Sequence, residues 1–227
     1  MVLELTQPTS TNPITATCCR LTEPVKPVLI LVEGVNDVEF LKRLTSKLHL
    51  RHASIPDLIN LEAQGRVIFV PFGGGHILPW AQRFAPLDCP EFHLYDQELE
   101  PETQQRKQAV EVVNARSSCR ALLLPQRSIE CFLHPAAIFD AGGGEFSARP
   151  DEDMATAVAR AWYTKRAPDP GWEQLPTRSR RRRAAQAKRW LNCEAVPHMT
   201  LGLLLQTDPT GQFLAWLRAI GNAVSDF

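Results

Sequence analysis

Val28-Leu-Ile-Leu-Val32, followed at once by Glu33-Gly34-Val-Asn36-Asp37, is the stretch whose reading decides the fold. Five aliphatic residues with no polar residue among them describe a strand buried on both faces, as inside a parallel sheet. Beyond it Asn36 is placed to cap a helix and Glu39 follows three residues later. Phe40, Leu41, Leu44 and Leu48 then recur at helical spacing. A buried strand feeding directly into an amphipathic helix is the first half of a strand-helix-strand unit.

Working outward, the unit repeats. Val67-Ile-Phe-Val70 reads as a second strand, stopped by Pro71 and the Gly73-Gly74-Gly75 turn, with a short helix over 77–84. Phe92-His-Leu-Tyr95 is a third strand running into Asp96. A polar helix over 102–117 follows, with Ala109, Val112 and Val113 inward, and Arg120 to Leu124 is the fourth strand. Four such alternations predict an α/β fold: a Rossmann-like, all-parallel four-stranded sheet flanked by helices. Past Pro135 the pattern turns helical, broken by Gly142-Gly-Gly144 and Pro168-Asp-Pro170-Gly171, with helices expected over 151–165, 178–192 and 210–224. The expected division is an N-terminal arm (1–27), partly ordered, a sheet domain (28–138) and a C-terminal helical extension (139–227).

The chain's 227 residues are 44% hydrophobic, enough for one substantial core, and no apolar run approaches the roughly 20 residues of a membrane span. Membrane partners are therefore not expected. Residues 1–27 lack the basic and apolar segments of a secretory signal. Six cysteines, at 18, 19, 89, 119, 131 and 193, form no C-x-x-C pair, which points to a reducing, cytoplasmic setting rather than zinc or disulfides. Net charge is zero, but its distribution is segregated: Glu91 to Glu102 holds five acids and no Lys or Arg, while Arg178 to Arg189 holds seven cations and no acid.

In parallel sheets the ligand site lies beyond the carboxyl ends of the strands. That rule selects Glu33, Asp37 in the following helical turn, and the pair Asp96 and Glu98. Four carboxylates brought together repel one another and are relieved by protons or by hard, oxygen-loving cations such as magnesium or manganese. Two such ions can clamp the attacking and leaving oxygens of a phosphodiester. Each acid taken singly has a plain structural explanation as a helix-start or loop residue; their shared position at strand ends favours the cation site. The Gly73 to Gly75 turn either lets the backbone approach a phosphate or is a tight connection, and His76 beside it is a weaker candidate phosphate contact.

The ordered set Leu31-Val-Glu33-Gly34-Val-Asn-Asp37, Pro71-Phe-Gly73-Gly74-Gly75 and Leu94-Tyr-Asp96-Gln-Glu98 resembles the Toprim domain shared by topoisomerases, bacterial primases and overcoming-lysogenization-defect (OLD) nucleases. Arg127-Ser-Ile-Glu130-Cys-Phe-Leu is similar to the basic residue and isoleucine-glutamate motif of the OLD type, and the resemblance covers roughly 28–138. It implies a magnesium- or manganese-dependent nuclease, with Glu33, Asp37, Asp96 and Glu98 as metal ligands and Glu130 completing a second ion's site. Glu98 departs from the usual aspartate while keeping charge and oxygen. It also implies a catalytic part for Glu33, directly or through a metal-bound water, and a phosphate-stabilising lysine, for which Lys188 is the candidate by order along the chain. Phage defence or DNA repair is the implied setting.

Arg178, Arg180, Arg181, Arg182, Arg183 and Arg189 would, on a helix, neutralise several phosphates without reading sequence, and DNA rather than RNA is the expected nucleic acid. OLD-type proteins also carry an ATPase domain, but no G-x-x-x-x-G-K-[ST] loop occurs here, so ATP is not an expected ligand and any ATPase would act in trans. A homodimer is left open. The tyrosines, Tyr95 and Tyr163, do not stand in a topoisomerase position. Two other readings stand beside the nuclease: a non-catalytic nucleic-acid or partner-binding module, and a primase-like nucleotidyltransferase.

Overall fold

A computed structural model describes residues 26–149, 152–166 and 169–225, so the expected N-terminal arm lies outside it apart from its last two residues. The sheet is built from β1 (Val28–Val32), β2 (Val67–Pro71), β3 (Glu91–Tyr95) and β4 (Cys119–Leu123). All pairings are parallel, in the order β2-β1-β3-β4, with Ile30 opposite both Phe69 and Phe92. The α/β fold expected from the alternation is what the chain adopts. From β1 the chain crosses to β2 on one side, then returns past β1 to β3 and β4 on the other, which makes the β1–β3 boundary the topological switch point.

The period of two along β1 assigns its two faces. Val28, Ile30 and Val32, with Phe92 and Leu94 of β3, face a core shared with α1 (Val35–His49) and with α9 (Gln212–Ser225), whose Trp216 meets Phe92 edge-on. Leu29 and Leu31 face a smaller core with α3 (Ile77–Gln82) and α4 (Glu102–Asn114). The helical extension packs into the first core through α5 (Pro135–Asp140), α6 (Met154–Thr164), α7 (Thr177–Trp190) and α8 (Leu201–Thr207). Residues 138 and 139, where the sequence reading divided sheet from extension, both lie inside α5. Gly143 permits this packing, since a Cβ there would stand 2.8 Å from Trp190 of α7.

Several local expectations are corrected. The cap of α1 is Gly34 in extended conformation, not Asn36, because Asp37 at the third helical position reaches back to accept the Gly34 N–H at 2.8 Å. Three short helices went unread: α2 (Leu58–Ala63), α5 and α8, the first capped by Asp57 and the last by Thr200. The helix expected over 178–192 passes after Trp190 into a π-helical segment, Leu191–Ala195. Among the described residues no helix is long and apolar enough to cross a membrane.

Candidate metal and nucleic-acid site

Every sequence-selected acid sits at the carboxyl end of the sheet, around the switch point. Glu33 directly follows β1, and its carbonyl accepts the Gly73 N–H at 2.8 Å, tying the glycine turn after β2 to the end of β1. Gly73, Gly74 and Gly75 all have left-handed φ, 81°, 71° and 80°, and open space where a Cβ would go. The Gly73 N–H is thus committed to the tight connection, while His76 is exposed at the start of α3. Asp37 is buried in the first turn of α1. Asp96 follows β3, and Glu98 is placed by the Thr103 hydroxyl, which donates to its carbonyl. Glu130 lies on a 3₁₀ turn, Ile129–Phe132, and is fully buried.

Three cations interleave with these acids. One guanidinium nitrogen of Arg106 donates to Glu33 Oε1 at 2.5 Å and lies 3.7 Å from Glu98 Oε1; Arg127 lies 3.7 Å from the other Glu98 oxygen. On the opposite side Lys188, from α7, stands 3.3 Å from Asp37 Oδ1 and 3.5 Å from Glu130 Oε1. Asn192 joins the same seam by donating to the Asn36 carbonyl at 3.2 Å. Lys188 reaches this cleft from 151 residues along the chain from Asp37. Arg106 was missed, although its spacing held the clue: Thr103, Arg106, Ala109 and Val113 form the buried stripe of α4, so an arginine stands where an apolar residue belongs.

The cations divide the acids into two groups, Glu33 and Glu98 by Arg106 and Arg127, Asp37 and Glu130 by Lys188. The carboxylates therefore share one end of the sheet but not one coordination sphere: among the described residues no three metal-ligating side chains are gathered closely enough to hold an ion as they stand. Electrostatically the cleft is overloaded. Burial first, then Glu33, Asp37 and Glu130, raise the Asp96 carboxyl against the pull of Lys188, and together they bring it to about 8. Burial also raises Glu33 against the pull of Arg106, and raises Glu130 against that of Lys188. Lys188 would lose its proton more readily for being buried, but Glu130, Asp37 and Asp96 outweigh this and hold it above the usual lysine range. Neither carboxylate oxygen of Glu130 has a hydrogen-bond partner among the described residues.

In chemistry, though not in spacing, the donors suit a hard divalent cation: all are oxygens, and once all five were ionised they would exceed Arg106, Arg127 and Lys188 by two negative charges.

The basic helix is split by its surroundings. Arg183 stacks over the Tyr163 ring at 4.5 Å and Arg180 pairs with Glu173 at 3.4 Å, so both brace the extension. Arg178, Arg181, Arg182 and Arg189 are exposed and have no carboxylate partner among the described residues. A cavity of about 350 Å³ lies between α6 and α7, lined by Arg180, Arg181, Ala184 and Lys188. A second of about 410 Å³ adjoins Glu98, Arg127 and Arg149. Larger still is a 560 Å³ cavity at Phe92, Cys119 and Ala223, which lies by the opposite, amino ends of β3 and β4 and touches none of these acids.

Compared with family models, curated proteins and solved structures, the chain matches none.

Proposed function

We infer that this chain is a divalent-metal-dependent nuclease of the OLD-type Toprim kind, hydrolysing phosphodiester bonds of DNA at the β1–β3 switch point. The observation that carries the reading is the charge imbalance around Asp96: three neighbouring acids press on a half-buried carboxyl that has no cation within ion-pair distance among the described residues, in a cleft already supplied with a lysine. Such a grouping costs stability unless a ligand offsets it, which marks a functional site more than a structural one. Glu33, Asp37, Asp96, Glu98 and Glu130 would hold magnesium or manganese, which supplies charge neutralisation and an acidified water.

The chain's own groups have separable parts. Lys188, kept protonated by its three acidic neighbours, is suited to stabilise charge developing on a phosphate oxygen. Arg106 holds the Glu33 carboxylate in one orientation, and Arg127, 3.7 Å from Glu98, offsets part of its charge. One divalent ion balances the cleft's excess of two charges; a second is favoured once a phosphate adds its own negative charge. The exposed arginines of α7 contribute sequence-independent attraction.

A second reading has its own support. The pairing of the acids with Arg106 and Lys188, and the absence of a ready coordination sphere among the described residues, favour a nucleic-acid-binding module in which the acids are structural. Plasmid and RNA cleavage with magnesium, manganese or EDTA, beside calorimetric titration of manganese, separates the two. Metal-dependent cleavage lost in Asp96→Ala is expected; undetectable manganese binding together with no cleavage overturns the nuclease.

A further inference from the structure

The two cavities beside the acidic cleft meet at Asp153, the cap of α6, which lines both: one holds Arg180, Arg181 and Lys188, the other Arg127 and Glu98 beyond the strand ends. We propose that the two together form a lane for one nucleic-acid strand, whose backbone passes from Arg181 to Lys188 and is delivered there to the carboxylates. The proposal rests on the nuclease reading for the purpose of the lane, but not for its existence.

Three observations carry it. The first is the angular arrangement of α7. At about 100° per residue, Arg181, Ala184, Ala185 and Lys188 fall on one face, and these residues line the cavity. Arg178, Arg182 and Arg189 fall on a neighbouring face turned to solvent, and the buried Ala187 marks the third, toward the core. Arg181 and Lys188 are two turns apart, about 10 Å along the helix. The side chains between them on that face are alanines, which leaves the lane open between two cations.

Chemistry supplies the second. The cavity beside α7 combines the basic Arg180, Arg181 and Lys188 with apolar walls from Ala155, Trp172 and Ala184. A charged rim over an apolar floor suits a strand whose phosphates meet the cations and whose sugars and unpaired bases meet the hydrocarbon; a duplex presents no such apolar surface. The acids along the lane are already committed. Asp153 accepts from the Thr156 N–H and hydroxyl, Glu152 pairs with Arg160, and Glu173 is shared by Arg149 and Arg180.

Width is the third. The walls are two packed helices, whose axes lie about 8–10 Å apart. A depression of about 350 Å³ along their seam has room for part of a single strand and is small for a duplex.

The test uses the full chain in EDTA, with fluorescence anisotropy of a short labelled DNA strand and of its duplex. Tighter binding of the strand is expected, and Ala184→Glu and Arg181→Ala should each weaken strand binding about tenfold. The outer-face double variant Arg178→Ala with Arg182→Ala, which removes only sequence-independent attraction, should weaken it less than either lane variant. Circular dichroism confirms that Ala184→Glu folds, and Arg181→Ala, an exposed position, stands as the second variant if it does not. Equal affinity for duplex and strand, or a greater loss from the outer pair than from the lane variants, overturns the lane. Strand binding that behaves as expected without cleavage in manganese supports the lane while removing the nuclease; cleavage undiminished by Ala184→Glu does the reverse.

Discussion

Strand β3 carries a set of buried ionisable groups along one face and leads, just past its end, into a second, half-buried set, and the two are built on opposite terms. Along the face toward α3 and α4, Glu91, His93 and Tyr95 form a ladder with every side chain fully buried. Arg116 donates to both Glu91 oxygens, at 2.5 and 3.0 Å, and to the Ala81 carbonyl at 2.8 Å. His93 lies 2.9 Å from Glu91 through Nε2 and 2.7 Å from the Tyr95 hydroxyl through Nδ1. With Glu91 ionised, Nε2 carries the proton and donates, and Nδ1 accepts from the tyrosine. One residue further, Asp96 begins a cleft with more acids than cations, in which Glu130 is met by Lys188 only at 3.5 Å. A buried polar group that is fully paired holds a fold; one left in surplus charge waits for a ligand.

Acid-to-amide substitution is the sharpest way to break this comparison, because the same chemical change should have opposite signs in the two places. Glu91→Gln removes the charge opposite Arg116 and disturbs the His93 bond, costing about 3 kcal/mol and lowering Tm by roughly 6–12 °C. Asp96→Asn removes a carboxyl whose ionisation is resisted by burial and by Glu33, Asp37 and Glu130. In EDTA at pH 8 that variant should gain stability on the order of a few kcal/mol, while its manganese affinity disappears from calorimetry. Urea melts of both variants check the signs, and destabilisation by Asp96→Asn would show the cleft to be a structural network like the ladder.

The two regions were unequally legible in the sequence for the same reason. β1 announced itself because both its faces meet hydrocarbon, and the acids after β1 and β3 were found from the rule that parallel-strand ends carry ligands. The ladder was not, because Glu91, His93 and Tyr95 alternate with Phe92 and Leu94 and so imitate a strand with one wet face. Only the tertiary approach of Arg116 turns that face into an interior. Arg106 could have been read from its place in the stripe of α4. Short helices such as α2 and α8 span too few turns for a periodic pattern, and the cap of α1 moved to Gly34 because Asp37 accepts its N–H. The division of the α7 arginines into lane, solvent and brace needs the partners Tyr163 and Glu173, which spacing does not supply.

Acidity gives a second, smaller contrast. An acid with a raised folded pKa favours the folded state when protonated, so the Asp96 contribution is lost as pH rises from 3.8 toward about 8. Glu33 and Glu130, also raised, act in the same direction. His93 works oppositely: burial lowers its pKa below 6.5 despite the Glu91 bond, so its contribution is lost as pH falls below that value. Glu91, which burial would raise but His93 and Arg116 hold low, is lost only below 4.5. Metal-free protein should therefore gain about 2 kcal/mol between pH 8 and 6.5, level off below that, and weaken under pH 4.5. Saturating manganese should erase the first limb and leave the last, as urea melts across pH would record; an alkaline limb that persists with manganese bound breaks the assignment of that limb to the cleft.

The smallest effect asks whether the two regions are independent. Tyr95→Phe keeps the ring against Phe72, an edge contact at 5.9 Å, and deletes only the hydroxyl that donates to His93 Nδ1. An acceptor left unsatisfied in the interior costs about 1–2 kcal/mol, or a Tm lower by roughly 2–8 °C. Asp96 is the next residue, but strand alternation turns its side chain away from the ladder, and the groups pressing on it are Glu33, Asp37 and Glu130, none of which touches Tyr95 through a hydrogen bond. Manganese affinity in Tyr95→Phe should thus stay within about twofold of the parent, since the lost energy falls on the fold and not on the ion. A tenfold loss in calorimetry would mean that the ladder holds β3 in the register that aims Asp96, and that the paired face of the strand is part of the site it underlies.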